Sequence, residues 1–164
     1  MMRTREINER GVTFIEMLVV IAILLILTGL VLPVAKYSVQ RQKEIELKRN
    51  LRIVRDAIDA YHEAAQPSTP GAVPKIQTKF GTDGYPPKLE VLVEGETLIG
   101  DVTGKKIKFL RRIPMDPMTN GTEWGLRSTQ DDFDSTSWGG ENVWDVYSRS
   151  VALSLDGVTH YTEW

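Results

Sequence analysis

Residues 17–34 read MLVVIAILLILTGLVLPV and contain no charged side chain. As a helix rising 1.5 Å per residue, about 20 residues span a bilayer core of roughly 30 Å. A helix apolar on every face must be surrounded by protein or by lipid. The remaining chain is polar and too small to surround it, so the run reads as a membrane-spanning helix. Ahead of it stand Arg3, Arg5 and Arg10 against Glu6 and Glu9. Those arginines place the N-terminus in the cytoplasm, with everything after about Tyr37 on the other side. A secretory cleavage site would show small residues just past the apolar run. Val34-Ala35-Lys36-Tyr37 does not fit that pattern, so the segment is expected to stay attached.

Glu16 sits at the mouth of this helix. A carboxylate there is costly in lipid and marks either a residue reaching for water or a functional position. Gly29 and Pro33 lie four residues apart inside the run. Glycine weakens a helix, and proline removes a backbone hydrogen bond and clashes with the preceding turn. The pair reads as a kink or as a point of local melting when the helix leaves lipid.

Beyond the apolar run the helical pattern continues but becomes amphipathic. Leu47, Leu51, Val54, Ile58 and Tyr61 recur at helical spacing, with Ile53 and Ala57 widening the stripe. Arg41, Lys43, Glu46, Lys48, Arg49, Arg52, Arg55 and Asp56 fill the opposite side and read as a solvated face. One helix over residues 12–64 would be roughly 80 Å long. QPSTPGAVP at 66–74 ends it. Residues 86–94 read as a short helix opening on proline. Strands are expected at 123–128, 144–148 and 152–155, and Asp156-Gly157 reads as a hairpin turn returning through 158–161. Trp124, Trp144 and Trp164 are expected to pack the sheet against the amphipathic helix. His62 is expected to face solvent or the junction of helix and sheet.

Several functions are disfavoured. A net charge of −2 gives no electrostatic footprint for nucleic acid. With no cysteine there is no disulfide, thiolate metal site or thiol nucleophile. His62 and His160 are far apart. No serine nucleophile elbow and no phosphate-cradling glycine loop is present, so no enzyme is indicated.

Arg10-Gly11, then Val12-Thr13-Phe14-Ile15-Glu16 and the apolar helix, resemble the signal of type IV prepilins and pseudopilins. The resemblance implies cleavage after Gly11 by a prepilin peptidase and methylation of the new amine at Val12. Family members usually have phenylalanine at that first position. Glu16 falls at the fifth mature position and Pro33 at the twenty-second, as in the family. Gly84-Tyr85-Pro86, Leu89, Leu92 and Val93, and the run Phe109-Leu110-Arg111-Arg112-Ile113-Pro114-Met115-Asp116-Pro117, resemble the head of the major pseudopilin of type II secretion.

The expected fold is therefore α+β and pilin-like. A long N-terminal helix has a transmembrane first half, and its second half packs on a small antiparallel sheet. The implied organisation is a leader at 1–11, a membrane helix and filament core at 12–35, an amphipathic half at 36–65 and a periplasmic head at 66–164. The implied partners are other copies in a helical filament, the peptidase, minor pseudopilins and an inner-membrane assembly platform. The assembly residues would be Glu16, Gly29 and Pro33. The filament would push exported proteins outward, powered by a separate ATPase. A type IV pilin, a minor pseudopilin and a single-pass anchored periplasmic binding module are the alternatives. Major pseudopilins bind calcium between their last strands, through an aspartate-glycine and later aspartates. This chain has Asp156-Gly157 without the later aspartates. Asp131, Asp134, Asp145 and Asp156 are the candidate calcium ligands.

Overall fold

The computed structural model describes residues 11–164, with backbone alone at 30–33. The leader residues Arg3, Arg5, Glu6, Glu9 and Arg10, and the side chain of Pro33, lie outside the described residues. Helix α1 runs unbroken over Phe14–Ala65. The chain divides into two units, Met1–Val39 and Gln40–Trp164.

In the first unit the described apolar side chains stand exposed. Leu18, Ile21, Leu24 and Ile26 are all about half exposed or more. Thr28, the one hydroxyl of the run, donates to Leu24 O at 2.7 Å. That bond satisfies it inside the helix, as a lipid environment demands.

In the second unit the amphipathic stripe is the backbone of the core. Leu47, Leu51, Val54, Ala57, Ile58 and Tyr61 are buried, with Ile76, Leu92, Trp124, Val143, Val146 and Tyr161 packed about them. Each such aliphatic side chain contributes roughly 1.5–3 kcal/mol on burial. This matters because the strands alone are too few. β1 (Glu96–Thr97) pairs antiparallel with β2 (Lys106–Ile107), and β3 (Gly125–Arg127) with β4 (Asp145–Tyr147), as two separate two-stranded ladders. Isolated two-stranded ladders are marginal in water, so the α1 face supplies what they lack.

The α+β expectation holds, with a long helix and small antiparallel sheets. The details differ. The short helix α2 is Val91–Glu94 rather than 86–94; its Leu92 carbonyl accepts from both Phe109 N (3.0 Å) and Leu110 N (2.9 Å). Gly95 ends it at φ 81° and ψ 157°, and an added Cβ would stand 2.5 Å from Ile107 O. Only glycine fits that backbone and that approach. The expected hairpin around Asp156-Gly157 is reduced to one bridge, Leu153 to His160. The Asp156 carboxylate takes over the local donors, accepting from Val158 N (2.8 Å) and Thr159 N (2.9 Å). Side-chain bonds of this kind compete with a ladder. The chain then tightens into a 3-10 turn, Tyr161–Glu163, that buries Tyr161. Trp124 is core, but Trp144 is 44% exposed, and Ile53 lies at 38% on the flank of the stripe. His62 sits at the junction, stacked on Tyr85 with centroids 4.2 Å apart.

Candidate functional site: the mouth of the apolar helix

Gly11, Val12 and Thr13 precede α1 and are exposed, so the Gly11–Val12 peptide bond lies outside the helix. Thr13 is the N-cap: its Oγ1 accepts from Glu16 N at 3.3 Å. Thr13-x-x-Glu16 has the spacing of a capping box. That Thr-x-x-Glu spacing was the available sequence signal for Thr13, which motif reading aimed at Gly11 and Glu16 passes over. The cap fixes the helix start two residues after the Gly11–Val12 bond. It also places Glu16 in the first turn, where the positive end of the helix dipole favours a carboxylate.

Among the described residues the Glu16 carboxylate accepts no hydrogen bond and joins no ion pair. Its neighbours Val12, Phe14, Ile15 and Met17 are exposed apolar side chains. An unengaged carboxylate in an apolar setting is where an external cation gains most. Gly29 has nothing within 4 Å of an added Cβ among the described residues.

The four candidate calcium ligands are kept apart by other duties. Asp145 meets Arg55 Nε at 2.6 Å and Arg127 at 3.7 Å. Asp156 is consumed by its own turn; hydroxyl donors at Ser154 and Thr159, then the backbone amides, hold its carboxyl well below the usual range. Asp131 Oδ2 accepts from Ser128 N (2.7 Å) and Gly139 N (3.2 Å), which lowers its pKa in the same way. Asp134 is exposed in the same loop. Asp131 and Glu141 both approach Gly139. Their carboxylate oxygens lie 3.0 and 2.3 Å from the point an added Cβ at Gly139 would occupy. Among the described residues no three His, Cys, Asp or Glu side chains gather around one point. Asp131, Asp134, Asp145 and Asp156 thus do not fit a single calcium site, which needs six to eight oxygen ligands.

Asp116, part of the run that resembles the pseudopilin head, is buried. It is 0% exposed; its Oδ2 accepts from Ser148 Oγ at 2.6 Å and its Oδ1 from Met118 N at 2.8 Å. Both carboxylate oxygens have donors, so it is a joint and offers no open ligand position.

Residues 7–32 match the family model for the prokaryotic N-terminal methylation motif. Comparison with curated proteins and with solved structures gives no match. The motif and the exposed apolar helix support a type IV pilin-like class: a single-pass, membrane-anchored substrate of a prepilin peptidase that assembles in a pilus-like manner.

Proposed function

We propose that this chain is the major subunit of a periplasmic pseudopilus that drives protein export by type II secretion. It acts structurally rather than as an enzyme. The peptidase cuts after Gly11, and the new amine at Val12 is methylated. In the filament, Glu16 of an arriving copy pairs with the Val12 amine of one already in place, and this pair sets the axial register. The apolar faces of neighbouring helices then supply the cohesion, with Gly29 permitting close approach. Before extraction the same helices are held in the inner membrane, with residues after about Tyr37 in the periplasm.

The observation that carries this reading is the Glu16 carboxylate, unengaged among the described residues, beside a capped and exposed Gly11–Val12 bond at the head of an apolar segment whose described side chains stand exposed. Neutralising a lone carboxylate with a neighbour's amine removes the cost of holding it in a low dielectric. The Phe109-to-Pro117 run, through its resemblance to the head of the major pseudopilin, favours the secretion type over a surface pilin.

Intact-mass measurement of membrane-extracted protein, with and without the peptidase, tests processing. The expected product begins at Val12 and is heavier by one methyl group. Chain retaining Gly11 in the presence of an active peptidase rules the reading out. A processed Glu16→Ala chain is expected to stay in the membrane unassembled; normal assembly would refute the pairing.

A further inference from the structure

The second unit carries two unpartnered features of opposite charge. The first is an open groove of about 1060 Å³ between α1 and the Phe109-to-Met115 run. Its apolar lining includes Ile45, Ile53 and Met115, which are 63%, 38% and 54% exposed. Arg49, Arg111 and Arg112 line it against a single acid, Glu46. None of these arginines has an ion-pair partner among the described residues. Asn50 Nδ2 donates to Met115 O at 2.8 Å and ties the two walls together.

The second feature is the loop between β3 and β4. Its tip is a turn closed by Ser135 N on Asp132 O at 3.0 Å, presenting Phe133 at 84% exposure between Asp132 and Asp134. The loop is held from below. Arg127 Nε donates to Ser135 O (2.9 Å), Tyr147 Oη to Thr136 O (2.9 Å) and Trp138 Nε1 to Asn142 O (2.7 Å). A rigid aromatic anchor loses little entropy on binding.

We infer that the Asp132-Phe133-Asp134 tip of one copy docks in the Arg49, Arg111 and Arg112 groove of the next. The inference rests on the filament reading above. Phe133 would seat on Ile53 and Met115 while its flanking carboxylates meet the arginines, an apolar centre with a charged rim. Groove and tip are different patches, so the contact is head-to-tail, the kind that builds an open filament when the rotation between copies does not close a ring. One loop tip in one groove falls short of the roughly 1,000 Å² a stable interface needs. It gains force only where the membrane helices already hold copies at high effective concentration.

The chain has no cysteine, which makes the test direct. Phe133→Cys and Met115→Cys chains, full length and co-expressed in membranes with the peptidase and assembly machinery, are oxidised and resolved by size. A Leu18→Cys/Leu25→Cys chain reports helix–helix contact in the same filaments. A 133–115 adduct between copies is expected. Arg111→Glu/Arg112→Glu should cut it at least about tenfold, and Asp132→Arg/Asp134→Arg in the partner copy should restore it. Helix adducts without the 133–115 adduct overturn the inference and leave the filament reading standing. So does capture of position 115 by a cysteine of another protein in its place. Absence of both kinds of adduct removes the filament reading itself, and this inference with it.

Discussion

The Arg55 guanidinium joins α1 to β4 through the Asp145 carboxylate, with Nε to Oδ1 at 2.6 Å and a second bond from Nη2 to Oδ2 at 3.2 Å. Nη2 also donates to Val146 O (3.1 Å) and Trp164 O (2.9 Å). One side chain thereby ties helix, strand and C-terminus. Arg55→Ala is expected to cost about 2 kcal/mol, the scale of hydrogen bonds to a charged group. Asp145→Ala should cost more, about 3 kcal/mol, because it also strands Arg127, whose side chain is only 6% exposed. Urea unfolding of the detergent-solubilised chain, followed by the fluorescence of its four tryptophans, gives the order. Equal losses would mean Arg127 does not depend on Asp145.

Such a joint shows where sequence reading ends. Leu47 to Tyr61 were legible because a helical period repeats over several turns. Arg55 and Asp145 lie 90 positions apart, and no local rule connects them. Within the charged face, Arg55 looks like any solvated arginine. β1 and β2 are two residues each, too short for alternation to register. Ile53 was grouped with the core because it borders the stripe, yet it faces an open groove. Trp144 was assigned to the core by residue type, while Val143 and Val146 beside it fill the interior. At the helix mouth Gly11, Val12 and Glu16 stand out through the motif they resemble, and the Thr13 cap follows from its three-residue distance to Glu16. The aspartates divide: Asp145 meets arginines brought by the fold, which no local rule announces, while Asp131 and Asp156 are engaged by donors within their own turns.

Asp116 and Ser148 form the most buried polar joint, both 0% exposed. Ser148→Ala is expected to cost about 1–2 kcal/mol by leaving one carboxylate oxygen without its donor. Asp116→Ala should exceed it at about 3 kcal/mol, since Met118 N and the Ser148 hydroxyl are then both unpaired. Asp116→Asn keeps the acceptor for Met118 and can still meet the hydroxyl, so it should fall between wild type and Asp116→Ala. Denaturant midpoints at constant slope decide the ranking. An Asp116→Asn chain as unstable as Asp116→Ala would show that the charge, and not the bonds, matters.

Gly125 in β3 faces the ring of Tyr147 across the ladder. An added Cβ would lie 2.2 Å from Tyr147 Cζ. The ring cannot easily retreat: Tyr147 is 4% exposed, its hydroxyl holds Thr136 O, and Arg127 lies 4.3 Å above it. Gly125→Ala should therefore destabilise by about 2–3 kcal/mol, the scale of overpacking in a closed core. In Gly125→Ala/Tyr147→Leu the methyl meets a smaller side chain, so the double variant should be more stable than the sum of the two single losses. Strict additivity would show that the ring and the methyl do not collide.

Tyr61 gives the second unit an alkaline limit. Burial, aided by the Glu96 carboxylate, pushes its phenol from an ordinary 10.0 up to about 12. The folded state thus holds its proton more tightly than the unfolded chain does. The associated stability is complete below pH 10 and is lost as pH rises from there through about 12. Two pKa units correspond to a contribution on the order of 2 kcal/mol. Tyr61→Phe has no proton to lose, and its ring keeps the edge contact with Phe109 at 5.2 Å between centroids. The variant should unfold like wild type near neutrality and grow steadily more stable than it between pH 10 and 12. Stability curves that stay parallel across that window would mean the Tyr61 phenol titrates alike in the folded and unfolded chain.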